Sequence, residues 1–163
     1  MIINEIVVFL FETIFNLTEG KLDDPFKISR LMKTEKGDIV NLTAIHMCAH
    51  NGTHVDAPYH FYGDGKTIDK IPLDRFNGWG FVTTFNGTVE KTDAGKILEK
   101  ARNTSENAWK KIILKGKAVV SEAAAQVFAD NDIELIGNES QTVGPLSGPA
   151  AVHRVMLNEE IVL

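Results

Sequence analysis

The stretch His50-Asn51-Gly52-Thr53-His54-Val55-Asp56-Ala57-Pro58-Tyr59-His60-Phe61 gathers three of the chain's five histidines and one carboxylate within eleven residues. His50, His54, Asp56 and His60 all carry even numbers. Side chains alternate along an extended chain, so an extended reading puts all four on one face. A helical reading aligns only His50 with His54, and Gly52 and Pro58 both oppose it. A straight strand would hold His50 and His54 about 13 Å apart. Two imidazoles sharing one ion need metal–nitrogen distances of about 2.0–2.1 Å each. The chain is therefore expected to curl at Gly52-Thr53, where glycine admits unusual backbone angles. Pro58 is expected to fix the backbone between Asp56 and His60.

Two neutral imidazoles and a carboxylate suit zinc, manganese or iron(II) and leave coordination positions open. An ion with an open position holds water and can bring its pKa to about 7. His60 is then the natural proton carrier, since a histidine titrates in the working range. The opposing reading makes His50 and His60 ordinary surface or hydrogen-bonding histidines. It describes most lone histidines, but this cluster has glycine and proline at its bends.

Working outward, residues 27–32 read as a strand, Lys36-Gly37-Asp38 as a turn, and Ile39 to Met47 as a strand leading into the cluster. Cys48, the single cysteine, excludes an internal disulfide framework and is read as a small buried hydrophobe in a strand. His46 shares the parity of His50, but is more often structural than a ligand. Tyr62 to Lys66 is a tight loop. Pro72 to Phe76 is a short helical turn with proline at its first position. Trp79 to Phe85 is a strand, with Trp79 in the core. Ala94 to Arg102 is a helix, and Trp109 to Leu114 a strand with a lysine-marked edge. Ser121 caps a helix from Glu122 to Ala129, with Ala123, Val127 and Phe128 as its buried stripe. Ile133 to Ile136 is a buried strand, and Glu160 to Leu163 begins another.

The apolar run at residues 6–11 has no Lys or Arg before it and is too short to span a bilayer, so a buried strand is expected rather than a signal peptide. A cytoplasmic location and no membrane partner are expected. The net charge of -5 argues against a nucleic-acid footprint. On length, residues 1–163 form one domain. Strands precede a half in which strands alternate with helices, which predicts an α/β or α+β fold with a mixed sheet.

The cluster resembles the H-x-G-T-H-x-D-x-P-x-H signature of the cyclase family, which includes bacterial kynurenine formamidases and isatin hydrolases. Gly65 to Phe76, Ile136 to Pro145 and Val152-His153-Arg154 resemble further family blocks, so the likeness spans roughly residues 40–163. The aromatic-Pro-Gly substrate loop of the family is not found between Asn16 and Phe26. The resemblance implies a compact swivelling β/β/α-type domain and a metal-dependent hydrolase. Such an enzyme cleaves a C–N bond of a small amide, formamide or lactam with metal-activated water, zinc or manganese being the ion. His50, His54 and Asp56 match the metal ligands and His60 the proton carrier.

In two-ion members Asp56 would bridge, and His153 would hold the second ion with a glutamate twelve residues later. The sequence ends ten residues after His153, so that glutamate and the family's last strand lie outside it. This motivates the alternative of an inactive relative that binds metal or ligand. Glu139 and Thr53 are candidates for orienting a ligand or touching substrate, Glu139 equally for meeting solvent. A homo-oligomer, dimer or tetramer, is implied by the family.

Overall fold

The computed structural model describes residues 2–3 and 26–163. The strand expected at residues 6–11 and the stretch 16–25 lie outside them. In chain order the elements are β1 (Ile2–Ile3), β2 (Lys27–Met32), β3 (Leu42–His46), β4 (Gly80–Thr84), β5 (Gly87–Val89), α1 (Lys91–Thr104), β6 (Lys111–Lys115), β7 (Ala118–Val120), α2 (Glu122–Ala129), β8 (Leu135–Asn138) and α3 (Ala150–Asn158). Short 3-10 turns occupy Thr34–Lys36, Pro58–His60, Ile68–Lys70 and Leu73–Arg75. The chain divides into two compact units, residues 8–54 and residues 1–7 with 55–163.

The larger unit is built on a sheet of order β1-β4-β6-β8. β1 runs antiparallel to β4, while β4, β6 and β8 are parallel. Parallel neighbours need a long crossover, and α1 and α2 provide the two crossovers here. β5 and β7 form a second, parallel ladder beside them. The continuous apolar run Ile112-Ile113-Leu114 suits a central strand covered on both faces. Lys111 and Lys115 therefore mark the ends of β6 and not a sheet edge, which corrects the expectation. Lys110 and Lys111 both reach Glu134, at 3.4 and 3.6 Å.

One face of this sheet packs Phe81, Ile112, Leu114 and Ile136 against the helices. α1 contributes Ala94, Ile97, Leu98 and Ala101, spaced as one helical stripe. It begins at Lys91, earlier than expected, because the Glu90 N–H donates to Asp93 Oδ2 and fixes the first turn. α2 begins where the sequence places it. Ser121 Oγ accepts from the Ala124 N–H at 3.2 Å, a cap that contributes about 1 kcal/mol. Its buried residues are Ala124, Ala125 and Phe128. Ala123 faces solvent, so the expected stripe was out of phase there, and Val127 is half-buried.

The other face carries a smaller cluster. Ile71, Leu135 and Val162 pack with Val55, Ala57, Phe76 and Ile113. The C-terminal residues extend the sheet beyond β8. Val162 bridges Leu135 in parallel, the Ile136 N–H donates to Val162 O, and the Val162 N–H donates to Glu134 O. Leu163 in turn pairs with the backbone of Asp56, accepting from its N–H at 2.8 Å and donating to its carbonyl at 3.4 Å.

The smaller unit is, in its described part, an antiparallel hairpin of β2 and β3 with Ile28 opposite Ile45 and Lys27 opposite His46. Gly37, at φ +91°, closes its turn. Asn41 Oδ1 accepts from the Thr34 N–H and Asp38 Oδ2 from the Lys33 N–H. β3 is shorter than expected, since residues 38–40 belong to the turn region and Ile39 is 93% exposed. Cys48 lies past the end of β3, half-buried, not within a strand.

Two further expectations, on Trp79 and Pro72, are corrected in the larger unit. Trp79 precedes the β4 ladder and is 43% exposed, so it is not a core residue. Pro72 is the cap of its 3-10 turn, with the helical residues beginning at Leu73. His153 stands on a helix, α3. Among the described residues no helix is long and apolar enough to cross a membrane.

Candidate metal centre and its proton carrier

The segment 49–53 is a turn followed by bends, and Gly52 sits at φ +74°, in the left-handed region open to glycine. The chain curls there as the spacing requires. His50 Nδ1 lies 3.2 Å from His54 Nε2, with the rings edge to face at 4.9 Å between centroids. His54 Nδ1 is 2.9 Å from Gly52 O. A carbonyl oxygen only accepts, so Nδ1 carries the proton and Nε2 of the neutral ring offers its lone pair. Two nitrogens bound tetrahedrally at about 2.0–2.1 Å would stand roughly 3.3 Å apart. The observed pair is spaced as two such ligands are.

In the larger unit, Val55 and Ala57 turn into the cluster beneath the sheet, and the backbone is extended at Ala57. Alternation then directs Asp56 the opposite way. Asp56 is 7% exposed, and its backbone is held on both sides by Leu163. Asp56 Oδ2 lies 3.5 Å from His153 Nε2, with both side chains more than nine-tenths buried. His153 Nδ1 is 2.9 Å from Pro149 O, one turn back along α3. The same reasoning leaves the lone pair of Nε2 facing the carboxylate. Two acceptors facing each other in a buried place repel unless a proton or a cation lies between them. A metal-ligating histidine commonly donates its other ring N–H to a backbone carbonyl, as His54 does to Gly52 and His153 to Pro149. Both pairs therefore fit a divalent ion.

Pro58 starts the 3-10 turn that presents His60. The parity of the motif is broken at this turn, so His60 is placed by the turn and not by strand alternation. His60 is exposed, with its ring 4.8 Å edge-on to Phe61 and 6.4 Å from His153. Phe61 stacks on His153 at 5.4 Å and 26°, and the Arg154 guanidinium lies over the other ring partner, Phe61, at 6.0 Å. Downstream, the Thr67 hydroxyl donates to Asp69 Oδ1 and holds that carboxyl below its ordinary range.

Thr53 is exposed in the bend between the first two histidines. Glu139 is exposed at the end of β8's connection, where its Oε2 accepts from the Gly116 N–H at 2.6 Å and fixes the β6–β7 turn. His46 ends β3 and is exposed. Sequence reasoning did not find Phe61 and Tyr62 as neighbours of α3, nor Lys66 as the partner of Glu160 just beyond it. The signal that α3 exists was present: Val152, His153, Met156 and Leu157 recur at helical spacing and all four are buried.

Comparison with known proteins agrees with this architecture. A curated kynurenine formamidase from Salinibacter ruber (strain DSM 13855 / M31) is 27% identical over 144 residues, covering 80% of this chain and 66% of that protein. The chain thus spans just under two thirds of that relative's length. A solved structure described as a potential metal-dependent hydrolase with cyclase activity superposes with a TM-score of 0.64 at 22% identity, over 83% of this chain and 68% of the other. An isatin hydrolase bound to the product analogue thioisatinate superposes with a TM-score of 0.60 at 14% identity, over 85% and 67%. These structures share the mixed α/β fold. The Cyclase family model matches residues 5–145, which takes in the whole histidine cluster and most of the sheet, and the chain belongs to the cyclase family.

Proposed function

We propose that the protein is a metal-dependent hydrolase of C–N bonds in small amides, formamides or lactams. The observation that carries this reading is the paired geometry of its donors: His50 with His54 at 3.2 Å, and Asp56 with His153 at 3.5 Å. In each pair a ring proton is committed to a backbone carbonyl, so a lone pair is turned to the partner. His50, His54 and Asp56 would hold a divalent ion, zinc or manganese. Asp56 would also serve a second ion with His153. The relative named for kynurenine formamidase activity supports a formamide as substrate.

When bound, the ion supplies Lewis-acid polarisation of the substrate carbonyl and makes water acidic enough to ionise near neutral pH. The chain's own residues do the rest. His60 takes a proton from the attacking water as the new C–O bond forms. It then delivers that proton to the leaving nitrogen as the C–N bond breaks. Its exposed position on the turn leaves it open to substrate. Phe61, stacked on the buried His153, lies beside it. Thr53 and Glu139 are candidates for substrate contact or for orienting a ligand. A homo-oligomer is part of the proposal, supported by the apolar residues Ile28, Leu31 and Ile45 that the β2–β3 hairpin leaves exposed.

The test is hydrolysis of an N-aryl formamide and of an aryl-fused lactam by protein loaded with zinc or manganese. Turnover of at least one is expected, lost on chelation and restored by returning the ion. Turnover that chelation leaves untouched would contradict the reading.

A further inference from the structure

Glu160 has φ +56°, in the left-handed region, although it carries a side chain. It follows α3, and its N–H donates to Leu157 O. Such a position after a helix commonly takes glycine, because a Cβ is strained there. An outlier of this kind directs attention to what the side chain does. Glu160 Oε2 lies 2.6 Å from Lys66 Nζ, ninety-four residues away in sequence. Both side chains are nearly half exposed, so the pair adds little to global stability, and its role is local.

The local object is the loop that carries His60. The Lys66 carbonyl accepts from the Tyr59 N–H at 3.0 Å, which closes the loop on itself. Gly65 is pressed against Pro58 so closely that a Cβ would stand 2.7 Å from the Pro58 carbonyl carbon. The closed loop is then fastened along α3. Phe61 stacks on His153, the Tyr62 hydroxyl donates to Arg154 O at 2.8 Å, and Lys66 meets Glu160. His60 sits at the start of this row, on a single 3-10 turn that is too short to be rigid unaided.

We propose that Glu160 is a positioning residue: through Lys66 it holds the 58–66 loop on α3 and so fixes the imidazole of His60. The inference rests on the reading of His60 as proton carrier. It explains why a residue that glycine would replace with less strain carries a carboxylate.

The experiment compares Glu160→Gly, Lys66→Met and the reversed pair Lys66→Glu with Glu160→Lys in zinc- or manganese-loaded protein. Glu160→Gly removes the carboxylate while easing the backbone. Amide hydrogen exchange at Tyr59, Phe61, Tyr62 and Gly65 is expected to accelerate. kcat is expected to fall between about 10- and 100-fold, the scale of a misplaced catalytic group. KM, metal content and the thermal midpoint should hold. Lys66→Met should lose as much, and the reversed pair should recover most of it. Unchanged exchange and kcat in Glu160→Gly, with the parent active, would overturn the proposal and leave the hydrolase reading intact. A fall in thermal midpoint that tracks the loss of kcat, with no rescue by the reversed pair, would also overturn it. If the parent hydrolyses neither probe but exchange accelerates as expected, the hydrolase reading fails while the tether is supported.

Discussion

Replacing His54 with alanine is expected to abolish ion binding and turnover together. His54 ties the His50–His54 pair to the backbone: its Nδ1 donates to Gly52 O and its Nε2 faces His50 Nδ1. Alanine removes a donor atom outright. Losing only an outer partner of a metal ligand costs roughly 10–100-fold in metal affinity or activity, so losing the ligand itself should exceed that. The effect on folding should be small by comparison. His54 lies in an irregular segment and contributes to neither apolar cluster. The check is a metal titration with a competing chelator beside a thermal melt. Loss of zinc or manganese binding, with near-parent melts when variant and parent are compared metal-free, is the expected pattern. A variant that kept parent affinity would remove His54 from the ligand set.

His60→Ala should behave differently, and the contrast separates ligand from proton carrier. His60 is exposed on the Pro58–His60 turn, with its ring edge-on to Phe61 and 6.4 Å from that of His153. Removing it should leave metal content at the parent value while kcat falls by about 10²- to 10⁴-fold, the usual scale of general acid–base catalysis. KM should change little, because a proton is moved only as bonds break and form. Parent-like kcat in this variant would show that another group moves the proton. Loss of metal with loss of rate would make His60 a ligand.

What the sequence made legible follows the range of the interactions. Ser121 before Glu122 announced α2 because capping is local. Lys27–Met32 and the Gly37 turn were legible for the same reason. The curl at Gly52 followed from spacing alone, since His50 and His54 cannot meet across a straight strand. α3 was missed because Pro149 gives it no side-chain cap, so the start signal that marked α2 was lacking. The role of β6 as a central strand depends on partners β4 and β8, and its lysines read locally as an edge. Ala123 was misplaced by one position in an alanine-rich helix, where hydrophobic periodicity is weak.

The site itself was legible in its donors but not in their supports. His50, His54, Asp56 and His60 stand in one short motif. The approach of His153 to Asp56, the Lys66–Glu160 pair and the backbone pairing of Asp56 with Leu163 each span about a hundred residues. None leaves a local mark, because each depends on where the sheet brings its ends together.

The most direct measurement is the zinc or manganese content per chain, by elemental analysis of protein purified without chelator and then offered each ion in excess. One or two ions per chain are expected, one if the site formed by His50, His54 and Asp56 fills alone, two if Asp56 and His153 hold another. No ion retained under either condition would contradict the metal centre and, with it, the proposed hydrolase.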